Sequence, residues 1–440
     1  MASTYLSRTQ GTGNRQIFTY SAWIKRSDLG EGFLFQGYTS TSSFVHIKFD
    51  GNNKLQVFGK TGGSDQMDLV TSRVFRDTGA FYHVIVAIDT TQSTDTNRVK
   101  VYINGVQETS FSTTSYPSVN ANLEINVSGY TNYIGAQYGS QAYYGGLMSY
   151  VAFVDGTAEL PIIFGETDAT TGEWKIKTSI TPTSGWGNNG FLILKDGNSV
   201  TDQSSNSNNF TLGGGTLTKT EDNPDNVFAT FNPLRPNSIS QTYSNGNNTF
   251  IRTGTGGQMN GTLGVQSGKW YYECLLDDYW QYLGWTALSL NTSQTAACSS
   301  SGSGFYGLYS NATDALTYAN GTSTAQGSYT AMASGQTWGI AFDADNAKMY
   351  FSVNGVWENS SDPANQTNPA MSSIPVTDFL VPAIGQGTGS RSSTIKINFG
   401  NGYFGTTQIS SEGTNASGIG KFEYDVPTGF TALSTKGLNE

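Results

Sequence analysis

Two stretches of this chain, far apart, carry one pattern. Residues 84–106 read VIVAIDTTQSTDTNRVKVYINGV, and residues 339–356 read GIAFDADNAKMYFSVNGV. Each is an apolar run ending in aspartate (Asp89, Asp343), a polar turn, an alternating run (99–103, 349–353) and then Asn-Gly-Val. Asn-Gly between alternating apolar residues marks a type I′ hairpin, because both central residues need positive φ. A three-strand meander that occurs twice predicts two all-β sandwich domains in tandem. It also moves the question from catalysis toward binding.

Composition supports this reading. Charged residues are 13% of the chain, against about 25% in ordinary globular proteins. Glycine supplies 53 of 440 residues, and tyrosine and phenylalanine 24 each. Aromatic strands joined by Gly, Asn, Ser and Thr turns give this profile, whereas disorder needs few aromatics and high net charge. The formal charge of −10 opposes nonspecific nucleic-acid binding, which requires cations to neutralise phosphates. Cys274 and Cys298 are the only cysteines, so no disulfide framework is expected. The N-terminal MASTYLSRTQ lacks an apolar signal region, and no apolar run is long enough to span a bilayer. The expectation is synthesis in a cytoplasm without classical export and without membrane insertion.

Along the chain, residues 1–165 hold short alternating runs at sandwich spacing, including IFTYSAWI, FVHIKF, FYHVIVAI and GGLMSYVAFV. No stretch has a 3.6-residue period long enough for a substantial helix, and a short helical turn is expected at 159–164. Residues 166–225 read as a turn-rich bridge with one strand near 191–194. Strands return in 226–440 with KWYYECLL, YLGWTAL, TWGIAFD, KMYFSV and TIKINFG.

The first domain resembles laminin G-like, concanavalin A-like jelly rolls. The resemblance rests on Ser21-Ala22-Trp23-Ile24, Tyr82-His83-Val84 running into Asp89, Val101-Tyr102-Ile103-Asn104-Gly105, Tyr133-Ile134-Gly135 and Tyr144-Gly145-Gly146-Leu147. The second resembles the SPRY sandwich through Ser267-Gly268-Lys269-Trp270-Tyr271-Tyr272-Glu273, Leu283-Gly284-Trp285, Gln336-Thr337-Trp338-Gly339-Ile340-Ala341-Phe342-Asp343, Pro382-Ala383-Ile384-Gly385 and Pro427-Thr428-Gly429-Phe430. Gln336 stands where that pattern usually has an acid. Across nearly its whole length the chain resembles virion structural or tail-fibre-like proteins of tailed, especially marine, bacteriophages. The segments GNRQIFTYSAWIKRSDLG, TSRVFRDTGAFYHVIVAIDTTQ, VDGTAELPIIFGETDATTGEW and DNPDNVFATFNPL carry that likeness. The resemblance implies a setting on a particle, other virion proteins as partners, and a homo-oligomer such as a trimer.

Candidate chemistry is sparse. A retaining glycoside hydrolase on this fold would set paired carboxylates on one strand. The nearest match, Glu166-Thr167-Asp168, lacks the third acid because Thr170 and Thr171 occupy its positions. His46 and His83 are the only histidines, and His83 sits in an apolar strand, so a packed role is expected. Asp89, Asp95 and Asn97, with Asp343 and Asp345 at the counterpart loop, have oxygen chemistry suited to Ca²⁺. Aspartate also closes turns on its own backbone, so calcium stays possible and no metal site or other cofactor is assigned. Exposed aromatics are the stronger hint. Tyr279, Trp280 and Tyr282 lie in a stretch expected to be a turn or strand edge, and Tyr138 and Tyr143 in an expected loop of small residues. A flat ring with a polar handle suits a sugar, which has an apolar CH face and a hydroxyl rim.

The sequence therefore reads as a non-enzymatic virion surface protein, a fibre or decoration component whose lectin-like domains contact host or environmental glycans. A purely structural assembly protein without sugar binding is the alternative. A glycan depolymerase ranks third, for want of carboxylates.

Overall fold

In the computed structural model the chain divides into two compact units, Met1–Lys219 and Thr220–Glu440. The structure describes residues 3–197, 199–235, 240–253, 258–290, 297–310, 315–326, 329–386 and 392–439. Both units are β-sandwiches. Helix among the described residues is limited to 3-10 turns of three residues, one of them at Pro161–Ile163, within the expected helical turn.

In the first unit one sheet has six strands in the order Phe191–Ile193, Gly146–Asp155, Ile17–Arg26, Phe81–Asp89, Val99–Ile103 and Val106–Glu108. This meander sheet contains the Asn-Gly hairpin. The opposing sheet has eight strands: Phe111–Ser115, Ser64–Thr71, Leu55–Thr61, Ser43–Phe49, Gly32–Ser40, Thr131–Ile134, Tyr5–Thr9 and Thr211–Gly214. Alternation drives one side of each strand into a shared core that includes Phe18, Tyr20, Ile24, Phe35, Ile47, Val84, Val86 and Phe153.

The expected bridge at 166–225 is not a separate connector. Phe191–Ile193 pairs with the Gly146–Asp155 strand, and Thr211–Gly214 pairs with Tyr5–Thr9. A hairpin of Gly165–Thr167 and Trp174–Ile176 also belongs to the first unit. The strand expected near 191–194 forms as Phe191–Ile193, while turn-rich composition hid the other three, which are too short to show alternation.

In the second unit the meander sheet runs Ser240–Ser244, Thr249–Thr253, Ser392–Asn398, Lys269–Leu276, Thr337–Asp343, Lys348–Val353 and Val356–Trp357, with Thr431–Ala432 added in parallel to Lys269–Leu276. Opposing it are six strands: Gln258–Asn260, Leu380–Gln386, Gln281–Ala287, Phe305–Ser310, Ala315–Ala319 and Thr322–Ala325. Between them pack Phe250, Tyr272, Cys274, Leu283, Trp285, Trp338, Ile340 and Phe351. Cys274 is thus a core residue, and Cys298 is also buried.

Both Asn-Gly turns form as expected. Asn104 and Gly105 have φ of 49° and 78°, and Asn354 and Gly355 have 49° and 82°. Each asparagine side chain also ties its hairpin to the neighbouring strand. His83 N–H donates to Asn104 Oδ1 at 2.7 Å, and Thr337 N–H donates to Asn354 Oδ1 at 2.9 Å.

Candidate functional site

The outer face of the eight-stranded sheet in the first unit carries a row of tyrosines. Leu6 and Ile134 point into the core, so strand alternation turns Tyr5 and Tyr133 outward. Ser7 pairs with Tyr133, Tyr133 with Gln36 and Thr131 with Tyr38, which places Tyr38 on the same face. The ring centroids of Tyr5 and Tyr133 are 6.2 Å apart, those of Tyr133 and Tyr38 6.3 Å. The loop after Thr131–Ile134 supplies both ends of the row. Tyr138 lies 5.2 Å from Tyr38, and Tyr143 lies 6.4 Å from Tyr5. All five rings are partly exposed.

Local backbone choices hold this row. Tyr138 has φ of 34° and Gly139 of 75°, and Tyr138 N–H donates to Gln36 Oε1 at 2.7 Å. A Cβ at Gly139 would stand 3.0 Å from the Tyr5 ring, and one at Gly213 2.1 Å from it. The two glycines let backbone close on the Tyr5 ring, which fixes its plane. Burial and the neighbouring Tyr138 and Tyr133 hydroxyls raise the Tyr38 pKa, so its phenol keeps its proton.

The aromatic surface continues past the tyrosines. Phe44 pairs with Tyr38, and His46 pairs with both Gln36 and Phe58. Phe44 lies 5.4 Å from His46 and 5.8 Å from Phe58. Lys60 sits 5.7 Å from the Phe58 ring centroid, and Lys48 sits 5.1 Å from that of Phe33. From the Tyr5 strand to the Phe58 strand the strip crosses four inter-strand gaps, about 19 Å at the usual spacing. His46 is buried among these rings, and burial lowers its pKa to about 3, helped by nearby Lys48. It is a neutral ring in this strip.

Of the residues singled out in the sequence, Tyr138 and Tyr143 lie on the strip, at opposite ends of the tyrosine row. Tyr5, Tyr38 and Tyr133 were missed. They sit in three strands distant in sequence, and only their register brings the rings together. Tyr279 and Trp280 are partly exposed neighbours, with ring centroids 5.8 Å apart, and Trp280 has φ of 73°. Tyr279 packs against the core of the second unit.

Tyr282 does not fit the expected aromatic platform. It is 5% exposed, stacks on Tyr309 at 4.4 Å and packs with Cys298, Phe305 and Ala383. It belongs to the Gln281–Ala287 strand, and the loop bearing Cys298 covers it.

The remaining candidates have structural partners. His83 is fully buried between Trp23 and Trp174, with centroids at 4.4 and 6.1 Å. Trp174 Nε1–H donates to His83 Nδ1 at 3.0 Å, so Nε2 carries the proton toward Ser21 Oγ at 2.8 Å. Burial lowers the His83 pKa to about 3. Glu166 and Asp168 lie on the exposed hairpin, where Lys175 pairs with both at 3.5 and 3.2 Å. Backbone N–H groups of Thr171 and Thr170, with Lys175, hold Asp168 well below the usual carboxylate range. Asp89 accepts from Thr91 and Gln92, and Asp343 accepts from Asn346 and pairs with Lys269. Both close turns. Gln336 accepts from Ala333 N–H and Trp338 Nε1–H.

Residues 2–160 match a family model described as the concanavalin A-like lectin/glucanases superfamily, Laminin_G_3. No curated protein matches the chain. Among solved structures, the TRIM65 PSpry domain is similar at 17% identity, covering 39% of this chain and 91% of the other, with a TM-score of 0.29. A native heptameric SAP-like pentraxin from Limulus polyphemus is 18% identical, covering 36% and 72%, at 0.28. The SPRY domain of human HERC1 is 16% identical, covering 38% and 96%, also at 0.28.

Proposed function

We propose that this protein is a non-enzymatic, lectin-like virion surface component that contacts glycans through the outer face of its first unit. The observation that carries the reading is the row Tyr143–Tyr5–Tyr133–Tyr38–Tyr138 across three adjacent strands. Each ring presents an apolar face for sugar CH groups and a hydroxyl for the rim. The concanavalin A-like match over residues 2–160 supports the substrate class. The strip is about 19 Å long, so it suits several units of a linear chain. Flat platforms give few directional contacts, and single-site affinity is expected between millimolar and micromolar, about −4 to −8 kcal/mol. Several copies, as in a homotrimer, would raise avidity by about 10² to 10⁴. The setting, a tailed-phage particle with other virion proteins and host glycans as partners, rests on the sequence resemblance.

A glycan array of the purified protein tests the reading. Tyr133→Ala and Tyr38→Ala should each abolish binding with little change in melting temperature. Retained binding in both variants overturns the assignment of the surface. Release of reducing ends from a bound polysaccharide would overturn the non-enzymatic reading.

A further inference from the structure

The second unit contains a cavity of about 770 Å³ lined by turns and by the C-terminal residues. Its volume is within the range of small-ligand sites. Trp270 and Phe430 form buried walls, while Phe379 is 51% and Leu438 41% exposed. Trp270 is pinned because its Nε1–H donates to Ser267 O at 2.7 Å. Gly268, at φ 85°, and Gly437 let the chain close on the indole, since a Cβ would stand 2.8 or 3.3 Å from the ring.

Polar groups sit beside these rings. Lys269 Nζ lies 3.3 Å from Asp343 Oδ2 and 5.8 Å from the Phe430 centroid. Asp345 accepts the Gly268 N–H through Oδ1 at 2.8 Å, which leaves Oδ2 to accept from a ligand. Two carboxylates against one ammonium disfavour an anion. The backbone amides around the cavity are committed internally: Val265 to Leu380 O, Ala344 to Gly268 O, Phe430 to Pro427 O and Leu438 to Ser434 O. An extended peptide held by main-chain bonds finds few partners here. A ligand held through ring stacking and hydroxyls finds both.

We infer that this cavity is a second binding site, for a neutral di- or trisaccharide. One pyranose stacks on Phe379, and its hydroxyls donate to Asp345 Oδ2 and accept from Lys269. The site is a hollow that takes a short saccharide or chain end, unlike the open aromatic strip of the first unit. It shares with the proposed function only the ligand class, and its residues belong to the other unit.

Saturation-transfer NMR on the full chain, with maltose, cellobiose, lactose and a uronic-acid disaccharide as probes, tests this. At least one neutral disaccharide should receive saturation, and the acidic one should bind at least tenfold more weakly. Phe379→Ala removes an exposed ring, and Ala416→Trp fills the mouth from an exposed loop. Each should weaken the neutral probe at least tenfold while the melting curve is preserved. Tyr133→Ala should leave that signal unchanged. The inference is overturned if no neutral probe receives saturation, or if the signal survives both cavity variants. Loss on Tyr133→Ala alone would place the sugar on the first unit. Binding by the cavity variants of a polymer that Tyr133→Ala cannot bind would leave the proposed function standing and separate the two sites.

Discussion

The two units build the same meander and cover it differently. Aligned on the Asn-Gly turn, His83 corresponds to Thr337, and Asp89 to Asp343. By register Ser21 faces Ile85, while Glu273 faces Gly339, so Ser21 and Glu273 occupy equivalent places. In the first unit the hairpin carrying Trp174 closes over this face. The Trp174 ring approaches Gly105 so closely that a Cβ there would stand 2.6 Å from it. In the second unit the C-terminal segment takes the role, with Tyr424 2.5 Å from the Cβ position of Gly355. The buried polar group beneath the cover is a histidine in one case and a carboxylate in the other. Glu273 accepts from Glu423 N–H, Tyr424 N–H, Asn398 Nδ2–H and Tyr271 O–H. The lesson is that the meander sets a scaffold, and the covering segment decides its chemistry.

The largest consequence concerns pH. Histidine in an unfolded chain takes its proton near pH 6.5, but His46 and His83 in the fold take theirs only near 3. The first unit therefore loses stability as pH falls below 6.5, by roughly 3 kcal/mol per histidine by pH 4. Buried Asp155, raised by desolvation, opposes part of that loss. Glu273 is pushed by burial from 4.5 to about 7, against the pull of its four donors. Its contribution is full below pH 4.5 and is lost as pH rises through about 7, roughly 3 kcal/mol in all. Calorimetry on the full chain should show two transitions that move in opposite directions between pH 4 and 7. Glu273→Gln should flatten the second transition's decline. Two transitions that move together would break the contrast.

The covers themselves come next. Trp174→Ala removes a stacked ring and the donor to His83, and should destabilise the first unit by about 3–4 kcal/mol. Tyr424→Ala should cost the second unit less, about 1–2 kcal/mol, because its ring is smaller and its bond to Glu273 comes from the backbone N–H, which the change keeps. Each change should shift only its own calorimetric transition.

A smaller effect tests where the units agree. Asn104→Ala and Asn354→Ala each remove one side-chain hydrogen bond and put alanine at positive φ, at about 2 kcal/mol each. Near-equal losses would confirm that the turns are equivalent, and a difference above about 1 kcal/mol would trace to the covers. Smallest of all, Tyr38→Ala and Tyr133→Ala should cost under about 1 kcal/mol, because their rings stand on the outer face.

Much of the architecture was legible beforehand. Asn-Gly with flanking alternation located both meanders, since turn chemistry is local and needs only adjacent residues. The packed role of His83 was legible from its apolar strand, but Trp174, its partner 91 positions away, was not. In the bridge the strand near 191–194 was legible, but Gly165–Thr167, Trp174–Ile176 and Thr211–Gly214 were not, because strands of three or four residues leave little periodic trace. Tyr282 was misjudged for a related reason. Alternation reveals which face of a sheet a residue occupies, but not whether another loop lies over that face.

The chain's own letters settle fold class, both hairpins and the inward or outward sense of each long strand, because these depend on φ preference and on a period of two. Tertiary structure alone decides the rest. Register aligns Tyr5, Tyr38 and Tyr133 into one row, a remote hairpin turns His83 into a buried neutral base, and the folded-back C-terminal segment surrounds Glu273 with donors. Each depends on contacts between residues many positions apart, which arise only when strands pair and segments close over the sheets.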